Sequence, residues 1–291
     1  MCHFDYRLFD MKDYFGYAGK TCVLTGASSG MGKATAKLLV EMGAEVYALS
    51  RSEPDAEGIK LWIPTDVGDR ASIDKAFARL PRRIDRFFGI AGVSGVVNTY
   101  EETFIIDFVA NKYITETHLE NRVADGGAIA YMSSSSGVRW ARPDLIGEYK
   151  AIVDADGWDA TVRVIVELDQ SDNMGIMAYM LAKRAMNYYA SKKAADFARR
   201  DIRVNFVMPC STSTQFVSGF LSVMGQDDSN FRNSIGNGKD YARPEAMAKA
   251  IVYLNSDFAE YVSGLGLVVD YGMEAATLCG QIQDMLGMNL I

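Results

Sequence analysis

The sequence predicts an α/β fold built on a doubly wound parallel sheet, and two observations lead to this fold class. Short apolar runs at 21–24, 45–49 and 128–132 alternate with longer segments of helical composition. A glycine-rich turn follows the first of these runs and opens a helical segment. Strands that alternate with helices form parallel sheets with helices on both faces, and ligands bind at the carboxyl ends of the strands.

The remaining strands and helices follow in a regular order. Residues 61–63 and 86–90 supply the third and fourth strands, with a helix between them. A helix around 103–118 leads to the fifth strand, and a long helix containing Tyr179 leads to a sixth, buried strand at 204–208. The chain has 291 residues, 49% of them hydrophobic, so we expect this pattern to form a single domain.

Composition argues against several classes of protein. The net charge of −7 does not suit a general binder of nucleic acids or anionic membranes. The four cysteines form no C-x-x-C motif and there are two histidines, so we expect neither a metal site nor a disulfide framework. The first 20 residues lack the apolar core of a secretory signal, and no run of 18 apolar residues occurs. We therefore expect a cytoplasmic protein.

The turn after the first strand has the composition of a phosphate-binding loop. Its glycines are spaced G-x-x-x-G-x-G, which differs from the usual G-x-G-x-x-G, but the turn lies between a strand and a helix. Glycines let the backbone approach a ligand, and the helix N-terminus offers free N–H groups to phosphate. This context predicts a Rossmann-type dinucleotide site. The residues expected to line it are Gly26, Ser28, Ser29, Gly30, Met31 and Gly32.

The end of the second strand bears on which dinucleotide is bound. Folds that bind NAD usually have an acidic residue here, which holds the ribose 2′-hydroxyl. This chain has Ser50 at that position, followed by Arg51. A missing negative charge beside a guanidinium suits a 2′-phosphate, so we expect NADP(H) rather than NAD(H). The alternative is that Arg51 is an ordinary solvated surface residue.

The long helix carries three Tyr–Lys pairs at i and i+4, a spacing that places both side chains on one face. The pairs are Tyr179–Lys183, Tyr188–Lys192 and Tyr189–Lys193. Tyr179 precedes Arg203, where the next strand opens, by 203 − 179 = 24 residues. That separation allows a helix of about 30 Å, which crosses a sheet. The other two tyrosines would lie mid-helix, away from the strand ends, so we select Tyr179 and Lys183.

Taken together, these motifs resemble those of the short-chain dehydrogenase/reductase family. They are T-G-x-x-x-G-x-G at 25–32, S-x-x-G after the fifth strand, Y-x-x-x-K on the helix and R-V-N-x-V-x-P at 203–209. The resemblance covers residues 19–272 and implies a catalytic tetrad of Asn111, Ser134, Tyr179 and Lys183. It implies further cofactor contacts from Asp66, Val67, Ala91, Gly92, Tyr179, Lys183, Pro209, Thr212 and Thr214.

The resemblance also implies the reaction, which interconverts a secondary alcohol and a ketone with a nicotinamide dinucleotide. Tyr179 would exchange a proton with the substrate oxygen, and Lys183 would lower the pKa of Tyr179 and hold the nicotinamide ribose. Ser134 would bind the carbonyl, and Asn111 would position a water leading to Lys183. A non-catalytic dinucleotide sensor on the same fold is the competing hypothesis, because fold alone does not imply function.

Two departures from the family pattern indicate a subgroup. The family's N-N-A-G reads G-I-A-G at 89–92, and 44 residues separate Ser134 from Tyr179, where about a dozen are usual in the family. This insertion, at 135–178, is similar to that of the bacterial 3α-hydroxysteroid dehydrogenase/carbonyl reductase subgroup. We therefore expect a small apolar ketone or alcohol substrate, first a hydroxysteroid or bile acid, with an aromatic or terpenoid alcohol as the alternative.

The regions outside the catalytic motifs have expected roles as well. Residues 1–18 read as an extension that packs its aromatics on the surface, 211–241 as a substrate lid, and 273–291 as a C-terminal tail. We expect a homodimer or homotetramer. Family members commonly pair through the helices that carry Asn111 and Tyr179. The insertion is expected to block that surface and move association to 265–291, unless it folds over the substrate mouth instead.

Overall fold

Seven parallel strands form the sheet in the part of the chain that the computed structural model describes, residues 13–169, 174–214 and 240–282. The strands are β1 (Thr21–Thr25), β2 (Glu45–Ser50), β3 (Leu61–Pro64), β4 (Ile84–Gly89), β5 (Val123–Met132), β6 (Arg203–Pro209) and β7 (Gly266–Val269). Their order is β3-β2-β1-β4-β5-β6-β7, and every neighbouring pair is parallel. This confirms the predicted doubly wound sheet.

Helices cover both faces of the sheet. They are α1 (Gly30–Glu41), α2 (Arg70–Ala78), α3 (Tyr100–Phe104), α4 (Ala110–Tyr113), α5 (Pro143–Asp154), α6 (Gly157–Leu168), α7 (Gly175–Phe197), α8 (Pro244–Asn255) and α9 (Met273–Leu278). A π-helical segment, Ile105–Val109, joins α3 to α4, and a second one, Ile114–Leu119, continues the helix after α4. We call this continuous helix, residues 100–119, helix α3–α4. No helix in the described ranges combines the length and apolarity that crossing a membrane requires.

The sheet separates two hydrophobic cores. On one face, Phe77 of α2, Phe108 of helix α3–α4 and Tyr189 of α7 are buried together. On the other face, Leu39 of α1 and Ile251 of α8 pack in a second buried cluster. A sheet covered on both faces buries both sides of each central strand, which is why the strands read as continuous apolar runs.

The prediction for the segment before β1 is partly wrong. Tyr17 was assigned to an extension that packs on the surface, but its side chain is fully buried. The Tyr17 hydroxyl donates to the carbonyl of Val252 at 2.7 Å, which satisfies its polar atom inside the core. Tyr14 does follow the expectation, because it is half exposed and stacks on Phe258. Residues 1–12 lie outside the described residues.

The predicted insertion forms α5 and α6, and both pack on helices of the sheet layer. α5 lies against α7, where the ring of Tyr149 contacts that of Tyr188 with centroids 5.8 Å apart. α6 lies against helix α3–α4, where Trp158 meets Tyr113 edge to face at 5.5 Å. The insertion therefore contacts both helices that family members commonly use for pairing. Most of the predicted lid, residues 215–239, lies outside the described residues.

This packing yields a prediction about assembly. We propose that two copies associate through the C-terminal region and not through α7 and helix α3–α4. Leu278 on α9 is 58% exposed and serves as the test position. Val166 on α6 is apolar and 51% exposed, so it serves as the matched control. We expect Leu278→Asp to lower the mass measured by light scattering and Val166→Asp to leave it unchanged. The opposite pattern, or a monomeric wild type, would contradict the proposal.

Candidate active site

A cavity of about 1100 Å³ opens at the carboxyl edge of the sheet, where the strand order reverses between β1 and β4. Open α/β sheets bind their ligands at such a point. With the exception of Asn111, every predicted site residue lines this cavity. These residues are Gly26, Ser28, Ser29, Gly30, Met31, Gly32, Ser50, Arg51, Asp66, Val67, Ala91, Gly92, Ser134, Tyr179, Lys183, Pro209, Thr212 and Thr214.

The loop between β1 and α1 is shaped by close backbone contacts. A Cβ on Gly32 would lie 2.0 Å from the carbonyl oxygen of Gly26, so no larger residue fits there without displacing the loop. Gly26 has a φ of +74°, and a Cβ there would lie 2.8 Å from the backbone of Ala91. The Thr25 hydroxyl accepts from the N–H groups of Ile90 and Ala91 at 3.0 and 3.2 Å and ties the loop to the end of β4. This glycine cradle at the start of a helix fits the phosphates of a dinucleotide.

The end of the cavity beside β2 carries positive charge. Arg51 is exposed, and Lys33 and Lys37 line the same cavity from the first turns of α1. Lys33 contacts Asp55 at 2.7 Å, and this hydrogen bond lowers the pKa of the Asp55 carboxyl. The Ser50 hydroxyl donates to the carbonyl of Ser52 at 2.8 Å.

Ser134, Tyr179 and Lys183 meet at the end of β5. The hydroxyls of Ser134 and Tyr179 are hydrogen-bonded, and Ser134 Oγ accepts from the backbone N–H of Ser136 at 3.1 Å. Lys183 Nζ lies 5.3 Å from the centroid of the Tyr179 ring, one helical turn along α7. Asn187, a further turn along, donates its amide to the carbonyl of Gly137 at 2.8 Å. That bond fixes the turn that carries Ser134 against α7.

Lys183 is also bound by an acidic residue that the sequence analysis did not select. Its ammonium donates to Asp107 Oδ1 at 3.1 Å and to the carbonyl of Met132 at 3.4 Å. The N–H of Val93 donates to the same Asp107 oxygen at 3.1 Å. Both members of this ion pair are buried, and Asp107 comes from the π-helical segment between α3 and α4. Such π segments often occur at functional sites.

The environment moves the pKa of all three titratable groups. Burial raises the pKa of the Asp107 carboxyl, against the opposing effect of Lys183. Burial lowers the pKa of Lys183, but the charges of Asp107 and Tyr179 more than offset this and raise it. Burial raises the pKa of the Tyr179 phenol, Lys183 opposes the rise, and Asp107 adds to it.

Asn111 is predicted to position a water leading to Lys183, and in the described residues no hydrogen bond joins its side chain directly to Lys183. Its side chain is buried against β4, with Oδ1 only 2.4 Å from where a Cβ on Gly89 would lie. Asn111 is not among the described residues that line the cavity. It lies one turn beyond Asp107 on the same helix, and Asp107 makes the contact with Lys183. The residue beside Lys183 is therefore Asp107.

Comparison with known proteins agrees with this geometry. A protein-family model described as enoyl-(acyl carrier protein) reductase matches residues 26–274, which is most of the chain. The chain belongs to the short-chain dehydrogenase/reductase family. It is accordingly an oxidoreductase that acts on alcohols, on a fold that binds NAD(P).

Two curated relatives and one solved structure show how similar this chain is to known proteins in sequence and in fold. Coniferyl-alcohol dehydrogenase of Pseudomonas sp. (strain HR199) is 28% identical over 259 residues, 87% of this chain and 96% of that protein. Cis-4-hydroxycyclohexanecarboxylate dehydrogenase of Sinomonas cyclohexanicum is 29% identical over 269 residues, 89% and 98% of the two chains. The 3-alpha-hydroxysteroid dehydrogenase of Pseudomonas sp. B-0831, solved with NADH, has a TM-score of 0.74 at 22% identity and covers 89% and 98%. At that identity, the solved structure shows a shared fold.

The two other Tyr–Lys pairs of this short-chain dehydrogenase lie away from the cavity, as expected. The ring of Tyr188 packs edge to face against Trp140 at 6.5 Å, and Lys192 binds Asp154 at 2.8 Å. Tyr189 is buried against Phe108. Both tyrosines thus have structural roles in packing α7.

The sequence analysis also missed a charged pair on the cavity wall. Arg139 binds Glu274 of α9 through two hydrogen bonds of 2.9 and 3.0 Å, and Arg139 has a φ of +60°. The pair joins the turn after β5 to the C-terminal helix over a separation of 135 residues. No local sequence signal marks such a contact. Within the described ranges, no cluster of acidic, histidine and cysteine side chains could hold a metal ion.

The cluster around Tyr179 leads to a direct test of its role. Tyr179→Phe is expected to lower kcat by about 10²–10⁴-fold, the usual contribution of a positioned proton-transfer group, and to leave dinucleotide binding intact. Tyr188→Phe and Tyr189→Phe are the matched controls on the same helix. Steady-state rates and a dinucleotide titration of each variant check this. Full activity in Tyr179→Phe would refute the assignment.

Proposed function

We propose that this protein is an NADP-dependent oxidoreductase that interconverts a secondary alcohol and a ketone on an apolar cyclic skeleton. The observation that carries the proposal is the cluster of Ser134, Tyr179 and Lys183 in the same cavity as the glycine cradle. A protein that only sensed a dinucleotide would need the cradle and not this buried proton-transfer cluster.

The side chains have distinct roles in the proposed reaction. A nicotinamide dinucleotide bound at the cradle would supply or accept the hydride. Ser134 donates a hydrogen bond to the substrate oxygen, and Tyr179 exchanges a proton with that oxygen. The Lys183 ammonium stabilises the phenolate form of Tyr179 through its charge.

The pKa of Tyr179 sets the pH dependence of the two directions. Burial raises this pKa, so the phenol keeps its proton through neutral pH. Ketone reduction needs the phenol and is therefore supported at neutral pH. Alcohol oxidation needs the phenolate and increases as pH rises.

The walls of the cavity support an apolar substrate. Val97, Val138, Met273 and Ile282 line it together with the Arg139–Glu274 pair. A hydroxysteroid or bile acid, with a large apolar ring system and few polar groups, is the substrate we propose first. An aromatic alcohol is the second candidate, because one relative that spans most of this chain is a coniferyl-alcohol dehydrogenase.

A substrate panel separates these candidates. We expect the highest kcat/KM for a 3α-hydroxysteroid or a bile acid, followed with NADP+ by absorbance of the reduced nicotinamide. Coniferyl alcohol and a terpenoid alcohol complete the panel, with Tyr179→Phe as the blank. A higher kcat/KM for coniferyl alcohol than for every steroid would overturn the steroid assignment and favour the aromatic one.

The preference for NADP(H) rests on the charges at the end of β2. Ser50 leaves the ribose site without an acidic residue at that position, and Arg51 follows it. Lys37 adds positive charge from α1, and Lys33 lines the same cavity paired with Asp55. A 2′-phosphate would find charge-assisted partners here, whereas the 2′-hydroxyl of NAD(H) would gain little from them.

Substitution of Arg51 tests this preference. Arg51→Ala should raise the Kd for NADPH by about 10-fold or more and change that for NADH little, because only NADPH loses a hydrogen bond between charged groups. Arg163→Ala, an exposed arginine on α6 outside the cavity, is the control. The preference is wrong if the wild type binds and uses NADH at least as well as NADPH.

A further inference from the structure

The proposed mechanism leaves the buried Asp107 carboxyl without a role, although Asp107 contacts Lys183 directly. Three parts of the fold hold this carboxyl. It projects from a π-helical segment, accepts from the N–H of Val93 after β4, and binds Lys183 of α7. Its other oxygen, Oδ2, is buried and has no hydrogen-bond partner in the described ranges. In this buried position, the ionised Asp107 carboxyl is stabilised by the charge of Lys183 and not by solvent.

The absence of a side chain at Gly92 leaves space for the Asp107–Lys183 ion pair. A Cβ on Gly92 would lie 2.5 Å from Asp107 Oδ1 and 3.4 Å from Lys183 Nζ. The close approach of the loop backbone fixes where the carboxyl lies relative to the ammonium. Since Asp107 and Lys183 are both almost fully buried, solvent screens their interaction little.

Two charged groups and one hydroxyl act on Tyr179, and they come from three elements. Lys183 lies on α7 itself, Asp107 reaches it from helix α3–α4, and the Ser134 hydroxyl faces it from the end of β5. Arg139 and Glu274, which line the same cavity, form an ion pair with each other. Among the described residues, Asp107 is therefore the negative charge that opposes Lys183 at Tyr179.

We propose that Asp107 is a positioning residue, which holds the Lys183 ammonium beside Tyr179 and offsets part of its charge, and so sets a higher pH for alcohol oxidation than a neutral residue would. The inference rests on the proposed function, in which Tyr179 transfers the proton. In ketone reduction, a reduced dinucleotide held at the glycine cradle would supply the hydride to the carbonyl carbon. The Tyr179 O–H bond breaks, and its proton forms the new O–H bond of the alcohol. The phenolate that remains faces an ammonium whose charge is partly cancelled, and it takes its next proton from solvent.

Asp107→Asn is the variant that tests this. Asparagine keeps an oxygen that can accept from Lys183 and Val93, but it removes the negative charge. The Tyr179 titration can be followed without substrate, as the tyrosinate absorbance of each protein minus that of the same protein carrying Tyr179→Phe. We expect its midpoint to fall by about 1 pH unit in Asp107→Asn, in line with the usual effect of a neighbouring charge. The pH of half-maximal alcohol oxidation should fall by the same amount.

Glu116→Gln is the matched control. Glu116 lies on the same helix and pairs with Lys112 at 2.7 Å, so the substitution removes the same charge away from Lys183. We expect it to leave both midpoints unchanged. An Asp107→Asn protein that is folded by circular dichroism but titrates like the wild type would overturn the proposal. An equal shift in Glu116→Gln would overturn it too, because the effect would then be one of net charge.

A second neutral variant covers the case in which asparagine is not tolerated. Asp107→Ser keeps an acceptor oxygen with a smaller side chain, and the same shift is expected. If neither variant folds while Glu116→Gln does, Asp107 is needed for the fold itself and the tuning role is rejected. A shifted titration in a protein that turns over no substrate would uphold the role of Asp107 and refute the proposed reaction. Turnover with an unshifted titration would do the reverse.

Discussion

The pairing of β1 with β4 is the constraint on which the site depends. Because these strands lie side by side in the parallel sheet and their connections leave on opposite faces, their carboxyl ends open into a crevice. The Thr25 hydroxyl binds the backbone at the end of β4, which fixes how far the two loops stand apart. Gly26 and Gly32 then allow the backbone contacts that a side chain would prevent. The dinucleotide site is thus a consequence of strand order and of two residues without side chains.

The second constraint is the burial of α7. Tyr179, Lys183 and Asn187 follow one another at intervals of four residues, so one face of the helix supplies the phenol, the ammonium and the amide that holds the Ser134 turn. Burying an ammonium costs free energy unless a charge and hydrogen bonds compensate it. Asp107 and the carbonyl of Met132 provide that compensation. In the proposed mechanism, the Asp107 carboxylate that stabilises the buried Lys183 ammonium also offsets its charge at Tyr179, so stability and proton transfer are linked at Asp107.

Sequence reasoning reached the strands, the glycine cradle and the choice of Tyr179, because these depend on local pattern and on distance along the chain. Apolar runs and helix lengths can be read from a continuous stretch of sequence. It missed Asp107, since a π-helical segment changes which residue of a helix faces the sheet, and no pattern of residue types reveals that segment. It missed the core position of Tyr17, whose hydroxyl partner lies 235 residues away, and the Arg139–Glu274 pair for the same reason. Contacts between distant segments depend on tertiary packing, so no local sequence pattern predicts them.

Two departures from the family pattern meet near β4. The first position of the family's N-N-A-G is Gly89 here, which has no side chain, and the family's N-x-x-G on the helix reads N-K-Y-I from Asn111. A Cβ on residue 89 would lie 2.4 Å from Asn111 Oδ1 and 2.7 Å from the ring of Tyr131, so the carboxamide occupies space that a larger residue at 89 would need. The helix therefore supplies, beneath the strand end, the polar group that the strand lacks. The Asn111 carboxamide thus packs against Gly89, and among the described residues the carboxylate that contacts Lys183 is that of Asp107.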